Sequence, residues 1–70
     1  MLVRETGVIK WFDNKKGYGL ITRDRGGELF VHYSAIRDKD YCELKVGGRV
    51  EFIVIKSNKG PQAQDVMCIH

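Results

Sequence analysis

The sequence has few of the residues that cross-link small proteins or bind metals. It contains two cysteines, two histidines and one proline in 70 residues. Cys42 and Cys68 are far apart and lack the close spacing of a zinc motif, and the histidines add no paired ligands. We therefore expect no metal and no cofactor. Two free thiols are the favoured state, with one structural disulfide as the alternative.

Long hydrophobic runs are also missing. No apolar stretch approaches the roughly 18 residues that a membrane-spanning helix requires. The first residues, MLVRETG, lack the basic segment and apolar run of a secretory signal. We therefore expect a cytoplasmic protein with no membrane partner, folded as a single domain over residues 1–70.

The residue groups that enzymes use are absent as well. The sequence has no paired carboxylates, no phosphate-binding loop and no nucleophile arranged with a base. His32 is a candidate base or ligand, but no suitable Ser or Cys accompanies it. We expect no catalytic residues, no small-molecule substrate and no enzymatic activity.

What the sequence does have is glycine, in positions that separate short strand-like segments. Eight glycines favour many turns and short strands over long helices. Strands are predicted at Glu5–Asp13, Tyr18–Arg23, Glu28–Tyr33, Arg49–Lys56 and Pro61–Ile69. This pattern predicts an all-β protein, a five-stranded antiparallel OB-fold barrel, with an SH3-like barrel as the alternative.

Alternation along the second and third strands separates a core face from an outer face. Ile21 and Val31 fall on the core side, which leaves Tyr18, Phe30 and His32 on the outer side. Alternation also assigns Tyr33 to the core side of the third strand.

Three further features of the chain can be predicted locally. In the first strand, simple alternation cannot bring both Lys10 and Trp11 to one face, so a bend or bulge is expected there. One helical turn is expected at residues 34–36, with Ser34 as its cap. Leu44, in the loop that follows this helical turn, is expected to pack against the core and hold the loop in place.

Aromatic and basic residues are interleaved in the stretch from Gly7 to Ile36. The net charge is +3 with a pI near 9.0, and from Arg4 to Arg25 there are six basic and three acidic residues. The positive potential is therefore expected on the first half of the chain. Flat rings beside cations suit unpaired bases on a phosphate backbone. The alternative is a small barrel that binds peptides through the same aromatic residues.

Four segments resemble the bacterial cold-shock proteins, in the same order along the chain. They are GVIKWFD at Gly7–Asp13, KGYGLI at Lys16–Ile21, LFVHYSAI at Leu29–Ile36 and KGPQAQDV at Lys59–Val66. The resemblance implies a five-stranded OB barrel that binds single-stranded RNA and DNA. It also implies an RNA chaperone with effects on translation or transcription, in a chain that is a monomer or, alternatively, a dimer.

The resemblance also implies which residues bind the nucleic acid. The residues implied to stack on bases are Trp11, Tyr18, Phe30, His32, Tyr33 and Tyr41, with Phe12 partly beneath them. Lys10 and Lys16 are implied to contact phosphates or base edges, while Lys59, Pro61 and Gln62 border the far end of the groove.

The chain departs from the family pattern at three positions. Leu20 stands where the family usually has a second outward phenylalanine, so one stacking ring is missing from the implied binding site. Asp13 replaces the usual asparagine and is an acceptor-only anion at that site. Ile53 replaces a residue that is commonly polar, which marks a candidate association surface.

Overall fold

The computed structural model describes residues 3–37 and 44–69. In these residues the strands are β1 (Glu5–Asp13), β2 (Tyr18–Arg23), β3 (Glu28–His32), β4 (Arg49–Ser57) and β5 (Gly60–Cys68). One turn of 3₁₀ helix, Tyr33–Ala35, follows β3. The predicted strands are confirmed to within one residue at each end.

The strands close into a barrel in the order β1-β2-β3-β5-β4. This arrangement confirms the predicted OB-fold barrel. Every strand pair is antiparallel except β3 with β5, where Phe30 faces Gln62 in a parallel pairing. A closed ring with an odd number of strands cannot alternate direction throughout, so one neighbouring pair has to run in parallel.

The barrel interior is filled by aliphatic side chains around one ring, that of Phe52. The buried residues are Ile9, Ile21, Leu29, Val31, Ala35, Ile36, Val50, Phe52, Ala63 and Val66. Leu44 packs against this core, which confirms its predicted role. Burial of these groups is the main favourable contribution to folding in a chain of this size.

A bulge in β1 decides which residues reach the outer surface. Ile9 pairs with Ile21, but Trp11 pairs with Leu20, so Lys10 is the extra residue in β1. Ile9 is buried, while Lys10 and Trp11 both lie on the outer side. The predicted bulge is confirmed, and simple alternation, which places Ile9 and Trp11 on one face, is wrong for this strand.

Gly19 allows β1 and β2 to approach closely beneath this surface. A Cβ atom at position 19 would lie 2.3 Å from the carbonyl oxygen of Trp11 and 2.7 Å from Cδ2 of Phe12. The missing side chain leaves the space in which the Phe12 ring packs against the core.

The 3₁₀ turn begins one residue earlier than predicted, and its cap is His32 rather than Ser34. The backbone N–H of Ser34 donates to Nδ1 of His32 over 3.1 Å. An imidazole nitrogen can accept this bond as a hydroxyl oxygen does in a common cap. Because the strand ends at His32, Tyr33 leaves the alternating pattern, and its side chain is exposed rather than on the core side.

Cys68 is disulfide-bonded, so the expectation of free thiols is wrong for this residue. Spacing along the sequence carried no information on this point, because folding brings residues that are distant in sequence together. Tyr41 and Cys42 lie outside the described residues. In the described part of the chain, no helix has the length and apolar character needed to cross a membrane.

Candidate nucleic-acid interface

The outer surface of the first three strands carries two rows of side chains side by side. Trp11 pairs with Leu20 and Leu20 with Phe30, which forms the first row. Asp13 pairs with Tyr18 and Tyr18 with His32, which forms the second row. We call Trp11, Tyr18, Leu20, Phe30 and His32 the aromatic face.

The rings of the aromatic face contact one another across the strands. The centroids of Trp11 and Tyr18 are 5.6 Å apart with an edge-to-face angle of 74°. Tyr18 and Phe30 are 6.0 Å apart and tilted by 40°. Such edge contacts hold the rings in place while leaving ring surface open to a ligand.

Exposure differs among these rings. Trp11 and Tyr18 are half-buried, whereas Phe30 is 47% exposed. Tyr33, which follows the aromatic face in the chain, is 46% exposed. Exposed aromatic groups gathered in one place are uncommon on a soluble monomer and mark a candidate binding surface.

A cavity of about 390 Å³ opens at one end of the aromatic face. Its lining consists of Tyr18, Phe30, Val31, His32, Lys59 and Gln62. Lys59 and Gln62 come from the start of β5 and the turn before it, and Gln62 lies beside Phe30 because β3 pairs with β5. The cavity therefore combines ring faces with a cation and an amide.

The polar rim of this cavity has a defined donor. Nδ1 of His32 accepts the Ser34 N–H and lies 2.8 Å from the Ser34 hydroxyl. A neutral imidazole that accepts through Nδ1 carries its hydrogen on Nε2. His32 therefore presents a flat ring together with an N–H donor that points away from the 3₁₀ turn.

Asp13 has a role in the turn between β1 and β2. One carboxylate oxygen, Oδ1, accepts the backbone N–H groups of Lys15 and Lys16 over 2.9 and 3.1 Å. This is the short-range bonding that Asp provides in turns. These bonds hold both lysines beside the second row. Asp13, which stands in place of the family's asparagine, therefore still provides the acceptor oxygen that the turn requires.

Arginines and lysines differ in how often they form ion pairs with carboxylates. The arginines that lie within ion-pair distance of a carboxylate are Arg4, Arg23, Arg25, Arg37 and Arg49. Lys15, Lys16, Lys56 and Lys59 have no ion pair within residues 3–37 and 44–69. Within these residues, unpaired lysines therefore lie in both halves of the chain, and the expected concentration of positive potential in the first half stays a prediction.

The remaining residues of the predicted site lie around this surface. Lys10 is exposed, but its Nζ is 2.5 Å from a carboxylate oxygen of Glu28. Phe12 is half-buried against the core, beneath the aromatic face. Pro61 is exposed at the start of β5. Tyr41 is outside the described residues, so its part in the site stays a prediction.

Two residues that contact the predicted site were not anticipated from the sequence. Glu28 pairs with Lys10, and Ser34 fixes the ring of His32. Glu28 lies two residues before Phe30 in β3, so alternation along the strand indicates that it too lies on the outer side. The partnership with Lys10 had no sequence signal, because it depends on how β1, β2 and β3 align in the barrel.

No group of three or more His, Cys, Asp or Glu side chains in the described ranges is placed to hold a metal ion. The chemistry available at the surface is therefore ring stacking, hydrogen bonding and attraction of anions by lysines. These are the means by which OB-fold barrels hold single-stranded nucleic acid.

Comparison with known proteins agrees with this class of barrel. A model of the 'Cold-shock' DNA-binding domain matches residues 5–69. A cold shock-like protein of Thermotoga maritima is 52% identical over 63 residues, which are 90% of this chain and 96% of the relative. Cold shock protein CspV of Vibrio cholerae is 43% identical over 70 residues, which are 99% of this chain and 100% of the relative.

A solved structure gives the same result. Drosophila Unr CSD456 superposes with a TM-score of 0.80 at 28% identity, over 97% of this chain and 27% of that longer chain. The fold and the outer surface define an OB-type nucleic-acid-binding barrel. The chain belongs to the cold-shock domain family.

Proposed function

We propose that this protein binds single-stranded RNA and DNA in the cytoplasm, as one domain and without catalysis. The observation that supports this most directly is the aromatic face itself. Rings from three adjacent strands lie side by side on the outer surface, next to Lys16 and Lys59, which pair with no carboxylate within residues 3–37 and 44–69. Bases stack on the rings of Trp11, Tyr18 and Phe30, while the lysines attract the phosphates.

The same arrangement favours single strands over duplexes. A duplex stacks its bases on one another and leaves no base face available to a protein ring. A protein that holds bases unpaired shifts weak RNA hairpins toward the open form by mass action. The proposed cellular role is therefore that of an RNA chaperone that affects translation or transcription.

Further residues of the proposed site extend along the cavity. His32 and Tyr33 offer two more flat rings, and Lys16 lies in the turn held by Asp13. Lys59, Pro61 and Gln62 border the far end of the groove. Tyr41 completes the proposed set of stacking residues, and no cofactor is required.

A fluorescence titration tests this proposal. The chain has a single tryptophan, Trp11, so its emission reports directly on the aromatic face. Oligothymidine or oligouridine is expected to quench the emission, and a duplex of equal length is the control. Binding should weaken with salt by a slope of about −0.7 per phosphate contact on a log–log plot.

Two outcomes would count against the proposal. The first is Trp11 emission that no oligonucleotide changes. The second is binding that is indifferent to salt and equally strong for duplex and single strand. Quenching by a proline-rich peptide alone would instead indicate a peptide-binding barrel.

A separate assay tests the chaperone role. A short RNA hairpin with a fluorophore and a quencher at its ends is expected to open as protein is added, at a concentration close to the measured Kd. If the protein binds the open strand but does not shift the hairpin equilibrium, the chaperone role is wrong while the binding function stands.

A further inference from the structure

An ion pair closes one edge of the aromatic face. The ammonium group of Lys10 lies 2.5 Å from a carboxylate oxygen of Glu28, and both side chains are about half exposed, at 53% and 43%. Lys10 belongs to β1 and Glu28 to β3, with β2 between them. The pair therefore bridges two strands that are not neighbours.

Strand register shows how the bridge is made. Thr22 of β2 pairs with Glu28 on one side and with Val8 on the other. Lys10 follows the buried Ile9 and lies on the outer side, from which its side chain crosses β2 to reach Glu28. Neighbouring strands are about 4.8 Å apart, so only a long side chain spans this gap.

Glu28 is also adjacent to the stacking rings. It lies two residues before Phe30 in β3, so the two side chains leave the strand on the same outer side. An exposed ion pair of this kind contributes little to folding stability. The main effect of the pair is therefore to reduce the positive charge that Lys10 offers to a ligand.

We infer that Glu28 is an internal competitor of the nucleic-acid phosphates for Lys10. This inference rests on the proposed function and deepens it. Glu28 occupies the ammonium group that would otherwise contact a phosphate, and its own charge repels phosphates at that edge. The phosphate backbone is accordingly attracted to the opposite edge, where Lys15 and Lys16 have no ion pair in the described part of the chain.

The competition affects both affinity and salt dependence. Replacing Glu28 by glutamine removes the negative charge while keeping a side chain of the same shape. Lys10 then gains a phosphate contact, so the log–log salt slope becomes steeper by about 0.7. At low salt, binding tightens by about two- to fivefold, which is the range of one exposed charge contact.

The test compares Glu28→Gln with wild type and with a matched control. Asp24→Asn removes the same charge from another exposed ion pair, between the turn after β2 and Arg49 of β4, in which the carboxylate side chain is likewise 43% exposed. Each protein is titrated with oligouridine at several salt concentrations. We expect a steeper slope and tighter binding for Glu28→Gln, with the slope unchanged for Asp24→Asn.

A double variant isolates the role of Lys10. In a Lys10→Gln background, Glu28→Gln is expected to leave the salt slope where Lys10→Gln alone put it. Circular dichroism at the titration temperature establishes that each variant is folded. A slope increase that persists without Lys10 would overturn the inference.

The remaining outcomes separate this inference from the proposed function. If wild type binds single strands but Glu28→Gln binds no tighter or binds more weakly, Glu28 is not a competitor and only this inference fails. If Asp24→Asn has an equal effect, net charge alone is responsible and the inference fails in the same way. If wild type does not bind single strands at all, the proposed function fails and the inference falls with it.

Discussion

The backbone N–H of Tyr33 donates a hydrogen bond of 2.7 Å to the carbonyl oxygen of Gly17. The bond joins the 3₁₀ turn after β3 to the turn that precedes β2. Gly17 has a φ of +77°, and its own N–H donates a second hydrogen bond to the Asp13 carbonyl oxygen. Tyr33 and Lys16, both in the proposed site, are thereby fixed relative to each other.

Replacing Gly17 by alanine tests this link between the two turns. A left-handed conformation costs a side chain other than glycine about 1–2 kcal/mol, and the added Cβ would meet only the Tyr33 Cβ at an ordinary 3.5 Å. The free energy of unfolding in urea should fall by about that amount, with weaker oligonucleotide binding. Gly17→Asn is the control and should lose less, because asparagine tolerates this conformation.

Gly19→Ala is expected to be more damaging. Its Cβ would overlap the carbonyl oxygen of Trp11, a backbone atom that cannot move aside without disturbing β1. We expect a loss of about 3 kcal/mol or more in unfolding free energy, at the upper end of overpacking effects. Thr22→Ala, at an exposed position of the same strand, should change stability by no more than about 0.5 kcal/mol. Equal losses in the two variants would contradict this account.

Phe30→Ala separates binding from stability. The side chain is about half exposed and lies outside the core, so its removal should leave the unfolding midpoint nearly unchanged. One stacked base contributes about 1–3 kcal/mol, so Kd for oligouridine should rise by about 5- to 150-fold. Val46→Ala, which shortens an exposed apolar side chain that is not part of the aromatic face, should bind as wild type does.

Leu20→Phe adds a ring at the centre of the first row. Leu20 lies between Trp11 and Phe30, where a ring could continue the stacking surface. We expect Kd to fall by about tenfold, the equivalent of roughly 1.4 kcal/mol. Leu20→Met, which changes shape without adding a ring, is the control. Equal affinity of the phenylalanine and methionine variants would indicate that position 20 does not contact a base.

The free energy of unfolding should decrease in acid as the Asp24 carboxylate becomes protonated. Hydrogen bonds from Arg49 and then from Thr6 lower the pKa of this carboxyl from 3.8 to about 2 in the folded protein. The stabilisation is therefore complete above about pH 4. It is lost as pH falls toward 2, because the unfolded state takes up the proton first.

Thermal unfolding of wild type and Asp24→Asn between pH 2 and pH 7 measures this contribution. The asparagine variant should be less stable near neutral pH, and the difference should shrink as the pH approaches 2. Lys56→Gln, which changes a charge but no carboxylate, should leave the acid dependence as it is in wild type. A constant difference between Asp24→Asn and wild type across the range would contradict the assignment.

The strands and most of the outer surface were predictable from local pattern. Alternation alone identified Tyr18, Phe30 and His32 as outward residues, because a strand sends successive side chains to opposite sides. The end of β3 was predicted one residue late, with Ser34 rather than His32 as the cap. Residue type favours a serine cap, and only the folded geometry brings Nδ1 of His32 to the Ser34 N–H.

The sequence by itself determined five short strands, an outer surface of rings and lysines, and a resemblance that covers most of the chain. These follow from local alternation and residue type. Only the tertiary structure decided which cations are unpaired, that Lys10 crosses β2 to Glu28, and that Cys68 is disulfide-bonded. The physical reason is that charge pairing and cross-linking depend on distances between residues far apart in sequence, which are set when the chain folds and leave no trace in local pattern.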